Sequence, residues 1–90
     1  MIKTIVSVVG KDQVGIIAKV SQELATLGCN ILDISQTLLQ DYFTMLMLVD
    51  VTGSKLPFME LSSHLKDCGE KMGMEIRIQR TEIFDAMHTI

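Results

Sequence analysis

A polar turn bracketed by two glycines constrains this chain most, because it joins a strand-like apolar run to an amphipathic helix. The turn runs from Gly10 to Gly15 (GKDQVG), and apolar residues at helical spacing begin directly after it. Asp12 can cap this helix by accepting hydrogen bonds from the amides of Val14 or Gly15. Gly15 lacks a Cβ, so another group can approach the backbone closely. The remaining amides at the helix start carry partial positive charge and can hold a small carboxylate; tight packing is the alternative explanation of the glycines.

Apolar periodicity along the rest of the chain predicts two strand-helix-strand units in succession. In chain order we expect a strand over residues 2–9, a helix from Asp12 to Gly28, strands over about 29–39 and 42–51, a helix from Pro57 to Gly73 and a strand over 74–83. The order βαββαβ predicts the fold class α/β, as a ferredoxin-like sandwich. Its four-stranded antiparallel sheet carries both helices on one face, and its first and third strands are central.

The face of the sheet without helices is predicted to be partly apolar. Ile5 and Val9 lie on it, together with either Leu46 and Leu48 or the other set of the third strand, which is Met45, Met47 and Val49. A 90-residue chain buries only about 60 to 65% of its unfolded surface, while 48% of these residues are hydrophobic. A second subunit is the simplest cover for this face, so we expect a homodimer.

The last residues, from Phe84 to Ile90, carry too many large apolar groups for a solvated tail. Ile83, Met87 and Ile90 share one side of a short helical turn. We therefore expect a domain over residues 1–83 and a short C-terminal apolar tail over 84–90 that docks on the domain or on the partner subunit.

Charge and hydropathy exclude two classes of partner. The formal net charge of −3 gives no electrostatic footprint for nucleic acid or for an anionic membrane surface. No apolar run approaches the ~20 residues needed to span a bilayer. The first residues run straight into a strand-like segment without a signal-peptide layout, so we expect a cytoplasmic protein.

Catalytic, metal and cofactor chemistry have no support in the residue pattern. Cys29 and Cys68 belong to no CxxC or Cys/His cluster, and His64 and His88 have no second ligand at helical or turn spacing. His64 and Cys68 lie one helical turn apart, but no third group orients the base. The first loop has no arginine to bind a phosphate, and the chain has no Met-x-Cys-x-x-Cys motif. We expect neither an enzyme nor a bound cofactor.

The first strand, the turn and helix start over 10–20, and the segment Asn30-Ile31-Leu32-Asp33-Ile34 together resemble the opening of an ACT domain. The whole chain, including residues 33–37 and 83–88, is similar to stand-alone bacterial ACT proteins of about this size, whose family name describes a fold and not an activity. ACT domains usually bind amino acids or other small metabolites and regulate an enzyme. They are commonly dimers with ligand between the subunits, so the resemblance implies a binding module.

The resemblance also implies which residues contact the ligand. They are Asp12, Gln13, Val14, Gly15 and Ile16 in the loop, and Asn30, Ile31 and Leu32 at the start of the second strand. Amides of the loop can bind a carboxylate, and the side chains of Asn30 and Asp12 can accept hydrogen bonds from an ammonium group. Each assignment has a structural alternative: Asp12 as a helix cap, Gly15 as a packing glycine and Asn30 as a turn residue. Many ACT loops have proline where this chain has Val14, which removes one rigid element.

Two functions follow from these observations. The first is a cytoplasmic homodimer that senses an amino acid or a related metabolite and regulates an enzyme or another regulator in trans, since no output domain is attached. The alternative is a ligand-free protein-interaction or assembly subunit that uses the apolar strand faces and the tail.

Overall fold

A computed structural model describes residues 2–11 and 13–81 of the 90-residue chain. Its elements in chain order are β1 (Lys3–Lys11), α1 (Ile16–Thr26), β2 (Asn30–Leu39), β3 (Tyr42–Asp50), α2 (Phe58–Met72) and β4 (Met74–Arg80). The predicted order βαββαβ and the ferredoxin-like sandwich are confirmed. The first helix begins four residues after Asp12, later than the sequence predicts, because Gly15 occupies the cap position.

The sheet has the strand order β2-β3-β1-β4, and each neighbouring pair is antiparallel. The two central strands are β1 and β3, as predicted, and β2 and β4 form the edges. Both β1 and β2 run antiparallel to β3, so these two strands run in the same direction. The β2-β3 pairing contains a bulge between Ile31 and Asp33, which the sequence analysis did not predict.

Alternate residues of the strands pack beneath the two helices and form the core. The set in the third strand is Met45, Met47 and Val49, each fully buried, and it meets Val6 and Val8 of β1. The helices contribute the apolar positions that recur at spacings of three and four, as their amphipathic sequences predict. The core residues from the helices and from the chain between α1 and β2 are Ile16, Val20, Leu24, Leu27, Cys29, Leu61 and Leu65.

The other face of the sheet carries no helix, and the register decides which residues occupy it. Ile5 pairs with Leu48, and Ser7 pairs with Leu46. Because paired residues point to the same side of a sheet, Leu46 and Leu48 lie on this open face with Ile5 and Val9. The alternative that the sequence left open, with Met45, Met47 and Val49 on this face, is wrong.

Helix α2 packs so closely on β4 that one of its positions has room only for glycine. A Cβ added at Gly69 would lie 2.7 Å from the carbonyl oxygen of Met74 and 2.8 Å from the side chain of Ile76. Gly69 is therefore a contact residue, although its low helix propensity alone indicates only a weak point in the helix. The helix ends at Gly73, as predicted.

Part of the sequence prediction falls on residues outside the described ranges. These are the cap at Asp12, the end of the last strand at residues 82–83, and the tail over 84–90. Within the described part, β4 extends to Arg80, and the Thr81 hydroxyl donates a hydrogen bond of 3.4 Å to the carbonyl of Lys3. No helix in the described ranges has the length and apolarity needed to cross a membrane.

Candidate ligand-binding site

The loop after β1 enters helix α1 through a glycine in the left-handed region. Gly15 has φ 87° and ψ 8° and occupies the N-cap position, and its carbonyl accepts a hydrogen bond of 3.0 Å from the Lys19 amide. A Cβ at Gly15 would meet nothing within 4 Å. The glycine is therefore required by backbone conformation and not by tight packing, which removes the packing explanation at this position.

The start of α1 is an exposed set of backbone donors. Among the described residues no side chain caps it, and its first turn contains no acidic residue. Such amides carry the positive end of the helix dipole and favour an anionic group. Asp12, the cap that the sequence predicts, lies outside the described residues.

The predicted loop residues differ in what they can offer a ligand. The Gln13 side-chain amide donates a hydrogen bond of 2.6 Å to the carbonyl of Met72, which ties the loop to the last turn of α2. Val14 is fully exposed at the tip of the loop. Ile16 is 3% exposed and belongs to the core, so only its backbone faces the loop.

The second set of predicted residues lies at the opposite end of the sheet. Asn30 pairs with Asp50, which in turn pairs with Lys3 at the start of β1. The loop follows Lys11, eight residues further along β1, and this is about 26 Å at ~3.3 Å per residue. Within one chain, the loop and Asn30 are therefore too far apart to contact the same small ligand.

The start of β2 is irregular. Ile31 pairs with Val49 and packs against the core, whereas Leu32 occupies the bulge and is 43% exposed. The Asp33 carboxylate accepts a hydrogen bond of 2.9 Å from the Ile34 amide just after the bulge. This segment presents one polar side chain, Asn30, and one apolar side chain, Leu32, at the sheet end.

A cleft that the sequence analysis missed lies at the same end of the sheet as Asn30. Its volume is about 410 Å³, and it separates the start of β1 from the first turn of α2. The guanidinium of Arg80 lies 5.0 Å from the centre of the Phe58 ring at its edge. No spacing signal in the sequence relates Phe58 to Arg80, because the contact is made by the tertiary fold.

The cysteines and the histidine of the described ranges have ordinary structural surroundings. Burial raises the pKa of the Cys29 thiol and also that of the Cys68 thiol, so neither is an activated nucleophile. His64 contacts the carboxylate of Glu23 and links α2 to α1. Within residues 2–11 and 13–81, no group of three or more His, Cys, Asp or Glu side chains is placed to hold a metal ion.

Comparison with known proteins gives one consistent family. A model of the ACT domain matches residues 3–79. A UPF0237 protein of Clostridium acetobutylicum is 49% identical over 88 residues, which are 98% of this chain and 99% of the relative. Both matches span nearly the whole chain.

Solved structures agree with these sequence matches. An ACT domain protein from Streptococcus pneumoniae superposes with a TM-score of 0.83 at 45% identity, over 97% of this chain and 98% of that protein. The regulatory subunit of aspartate kinase from Thermus thermophilus superposes with a TM-score of 0.65 at 26% identity, over 87% of this chain and 50% of that subunit.

Proposed function

Because the chain belongs to the ACT domain family, we propose that it is a cytoplasmic regulatory module that binds an amino acid or a related carboxylate. The site is shared between two copies of the chain, and the loaded dimer regulates an enzyme or another regulator in trans. The regulatory subunit of aspartate kinase, which this chain resembles, supports a regulatory role. The chemistry of the loop supports the class of ligand.

The observation that carries this proposal is the separation of the two predicted halves of the site. The loop lies at one end of the sheet and Asn30 at the other, and β2 is an edge strand. If two β2 edges pair antiparallel about a two-fold axis, the partner's β2 runs in the opposite direction. The partner's Asn30 then comes to the end of the sheet that carries the loop.

Exposed apolar side chains on β2 support pairing at this edge. Ile34 and Leu38 pair with Met47 and Phe43, so they lie on the helix side of the sheet. They are nevertheless 38% and 59% exposed, so the helices leave them partly uncovered. A copy joined at β2 would cover both side chains.

The chemistry of the joined site fits an amino acid. The amides at the start of α1, which no side chain of the described residues caps, would bind the carboxylate. The partner's Asn30 and the predicted acceptor Asp12 would bind the ammonium group. Val14, fully exposed beside these donors, would contact the apolar part of the ligand.

A thermal-shift screen of the standard amino acids and common metabolic carboxylates tests the proposal. A compound present at ~100 times its dissociation constant adds ~2.7 kcal/mol per site, which moves the midpoint of a domain this small by several degrees. Asn30→Ala and Gly15→Val should each abolish the shift. Gln22→Ala, on the exposed face of α1, is the matched control and should retain it.

Mixing the two defective variants tests whether the site is shared. A mixed dimer of Asn30→Ala and Gly15→Val chains contains one site with an intact loop from one chain and an intact Asn30 from the other. The mixture should therefore regain part of the shift. If no compound shifts the wild type, or if the shift survives both substitutions, the proposed site is wrong.

The open face of the sheet favours a second candidate function, a ligand-free interaction or assembly subunit. Leu46 and Val9 are 46% and 42% exposed at the middle of that face. A protein that works only through this surface would show no metabolite-dependent shift and would keep its interactions in the Asn30→Ala variant.

A further inference from the structure

The open face of the sheet has an apolar centre and a charged periphery. Ile5, Leu46 and Leu48 are neighbours across β1 and β3, and Val9 continues the patch along β1. Around them lie polar and charged residues of the four strands, and at the end near the β2-β3 turn the exposed side chains of Leu39 and Tyr42 extend the apolar surface. Such an arrangement of an apolar centre within a polar rim is typical of a protein interface.

Most charges of this face are separated between its two halves. The half formed by β2 and β3 carries Asp33 and Asp50, whose side chains share the side of Leu48. The half formed by β1 and β4 carries Lys3, Lys11 and Arg77. Among the described residues of β1 and β4, the acid on this face is Glu75, and its carboxylate is paired with Arg77 at 2.6 Å.

Hydrogen bonds stabilise the charge of one carboxylate in the half formed by β2 and β3. The Thr52 hydroxyl and amide both donate to the carboxylate of Asp50, at 2.6 and 2.9 Å. These hydrogen bonds favour the charged form and lower the pKa of Asp50 below its ordinary value.

We propose that this open face binds the open face of a second copy of the chain. The two-fold axis lies in the interface and runs along the strands, between β1 and β3. Rotation about this axis places β1 over the partner's β3, and β4 over the partner's β2. The positively charged half of each chain then faces the negatively charged half of the other. This charge complementarity is why a second copy fits this face.

The register makes the expected contacts specific. Lys3 lies opposite the partner's Asp50, and Ile5 lies opposite the partner's Leu48. Arg77 lies opposite the partner's Ser35, and the partner's Asp33 is two residues further along the strand, about 7 Å at ~3.3 Å per residue, within reach of a long side chain. Sheets that stack face to face are ~10 Å apart, which the interdigitating apolar side chains fill.

The other in-plane two-fold axis, perpendicular to the strands, is disfavoured by charge. It would place Arg77 opposite the partner's Arg77 and Lys3 opposite the partner's Lys11. Like charges facing one another in an interface are costly. The axis along the strands removes both like-charge contacts and places Lys3 opposite the partner's Asp50.

This surface is separate from the β2 edge of the proposed ligand site. The axis of edge pairing is perpendicular to the sheet and lies beyond β2, whereas the axis of face pairing runs along the sheet centre. Because the two axes do not meet, copies that use both surfaces form an open row and not a closed tetramer. The face contact does not depend on any ligand.

Charge exchange between variants of the full chain tests the proposal by sedimentation equilibrium without added metabolite. Asp33→Lys and Arg77→Asp each place like charges in the interface and should each weaken self-association at least ~10-fold. In an equimolar mixture, Lys at position 33 of one chain lies two residues along the strand from Asp at position 77 of the other, within reach of the long lysine side chain, and the remaining Arg77 has the same offset from the partner's Asp33. The mixture should therefore associate as strongly as the wild type.

Asp67→Lys, an equal charge change on the exposed surface of α2, is the matched control and should leave association unchanged. Leu46→Glu places a charge in the apolar centre and should weaken association more than either exchange. Circular dichroism verifies that each variant is folded. A monomeric wild type, which is expected if the tail covers this face, would overturn the proposal. So would normal association of Leu46→Glu, or a mixture that associates no more strongly than either variant alone.

Discussion

The two faces of the sheet are built from the same strands but have opposite surroundings. In β3, Met45 and Met47 are fully buried, whereas Leu46, between them in the sequence, is 46% exposed. All three side chains are large and apolar, so hydrophobicity does not distinguish them. The difference lies in the helices, which cover one face only, and it shows that an apolar residue in a central strand is not by itself evidence of a core position.

The largest expected effect tests this contrast directly. Met47→Ala removes a fully buried side chain from beneath the helices and should lower the free energy of unfolding by about 2 to 5 kcal/mol. Leu46→Ala, one residue away, should change it by less than about 1 kcal/mol in dilute protein, where association does not contribute. Urea unfolding at low concentration measures both. Equal losses would mean that the two faces are equally covered in one chain.

The tail is the next test, since we expect it to dock on the domain or on the partner subunit. Deleting residues 84–90 removes Phe84, Met87 and Ile90, and we expect the free energy of unfolding to fall by ~2 kcal/mol or more from lost burial. Thermal unfolding of the full and shortened chains measures this. An unchanged midpoint would show that the tail contributes no packing to either face.

A smaller effect is expected where α2 meets the covered face at β4. Gly69→Ala brings a Cβ to 2.7 Å from the carbonyl oxygen of Met74, and the helix must shift, at a cost of about 1 to 2 kcal/mol. The better helix propensity of alanine does not offset this. Ser63→Ala, on the exposed side of the same helix, is the control and should stay within about 0.5 kcal/mol. A stabilised Gly69→Ala variant would show that the contact is looser than the structure indicates.

The smallest expected effect is a change in the pKa of a carboxyl group on the open face of the sheet. Burial raises the pKa of Cys29 in the core and favours its neutral thiol, whereas hydrogen bonds from Thr52 lower the pKa of Asp50 on the open face. Stability gained from a lowered carboxyl pKa is present above the pKa of the unfolded chain and is lost as the pH falls through the folded pKa. Thr52→Val should therefore raise the pKa of Asp50 towards its ordinary value, as measured by an NMR pH titration.

Thr26→Val provides the control for this titration, because the Thr26 hydroxyl donates to the backbone of Gln22 on α1, far from the sheet. It should leave the pKa of Asp50 unchanged. A pKa that is the same in the wild type and in Thr52→Val would remove the argument that this carboxyl is held in its charged form by its neighbour.

The sequence predicted the candidate site less completely than it predicted the fold. Local signals identified the glycine turn, because a polar segment between a strand and a helix can be recognised within about ten residues. Asn30 was identified by resemblance, but its distance from the loop depends on β2 pairing with β3 and running parallel to β1. The bulge at Ile31 and the contact of Arg80 with Phe58 also had no local signal.

The sequence by itself determined the order of the elements and, outside the bulge of β2, which residues of each strand share a face, because both follow from periodicities of 3.6 and 2.0 residues. It also determined that one face would be apolar beyond what two helices can cover. Tertiary structure alone decided that Leu46 and Leu48 occupy that face, and that the loop and Asn30 lie at opposite ends of the sheet. The physical reason is that register and strand direction are set by pairing between residues far apart in the chain, which no local pattern encodes.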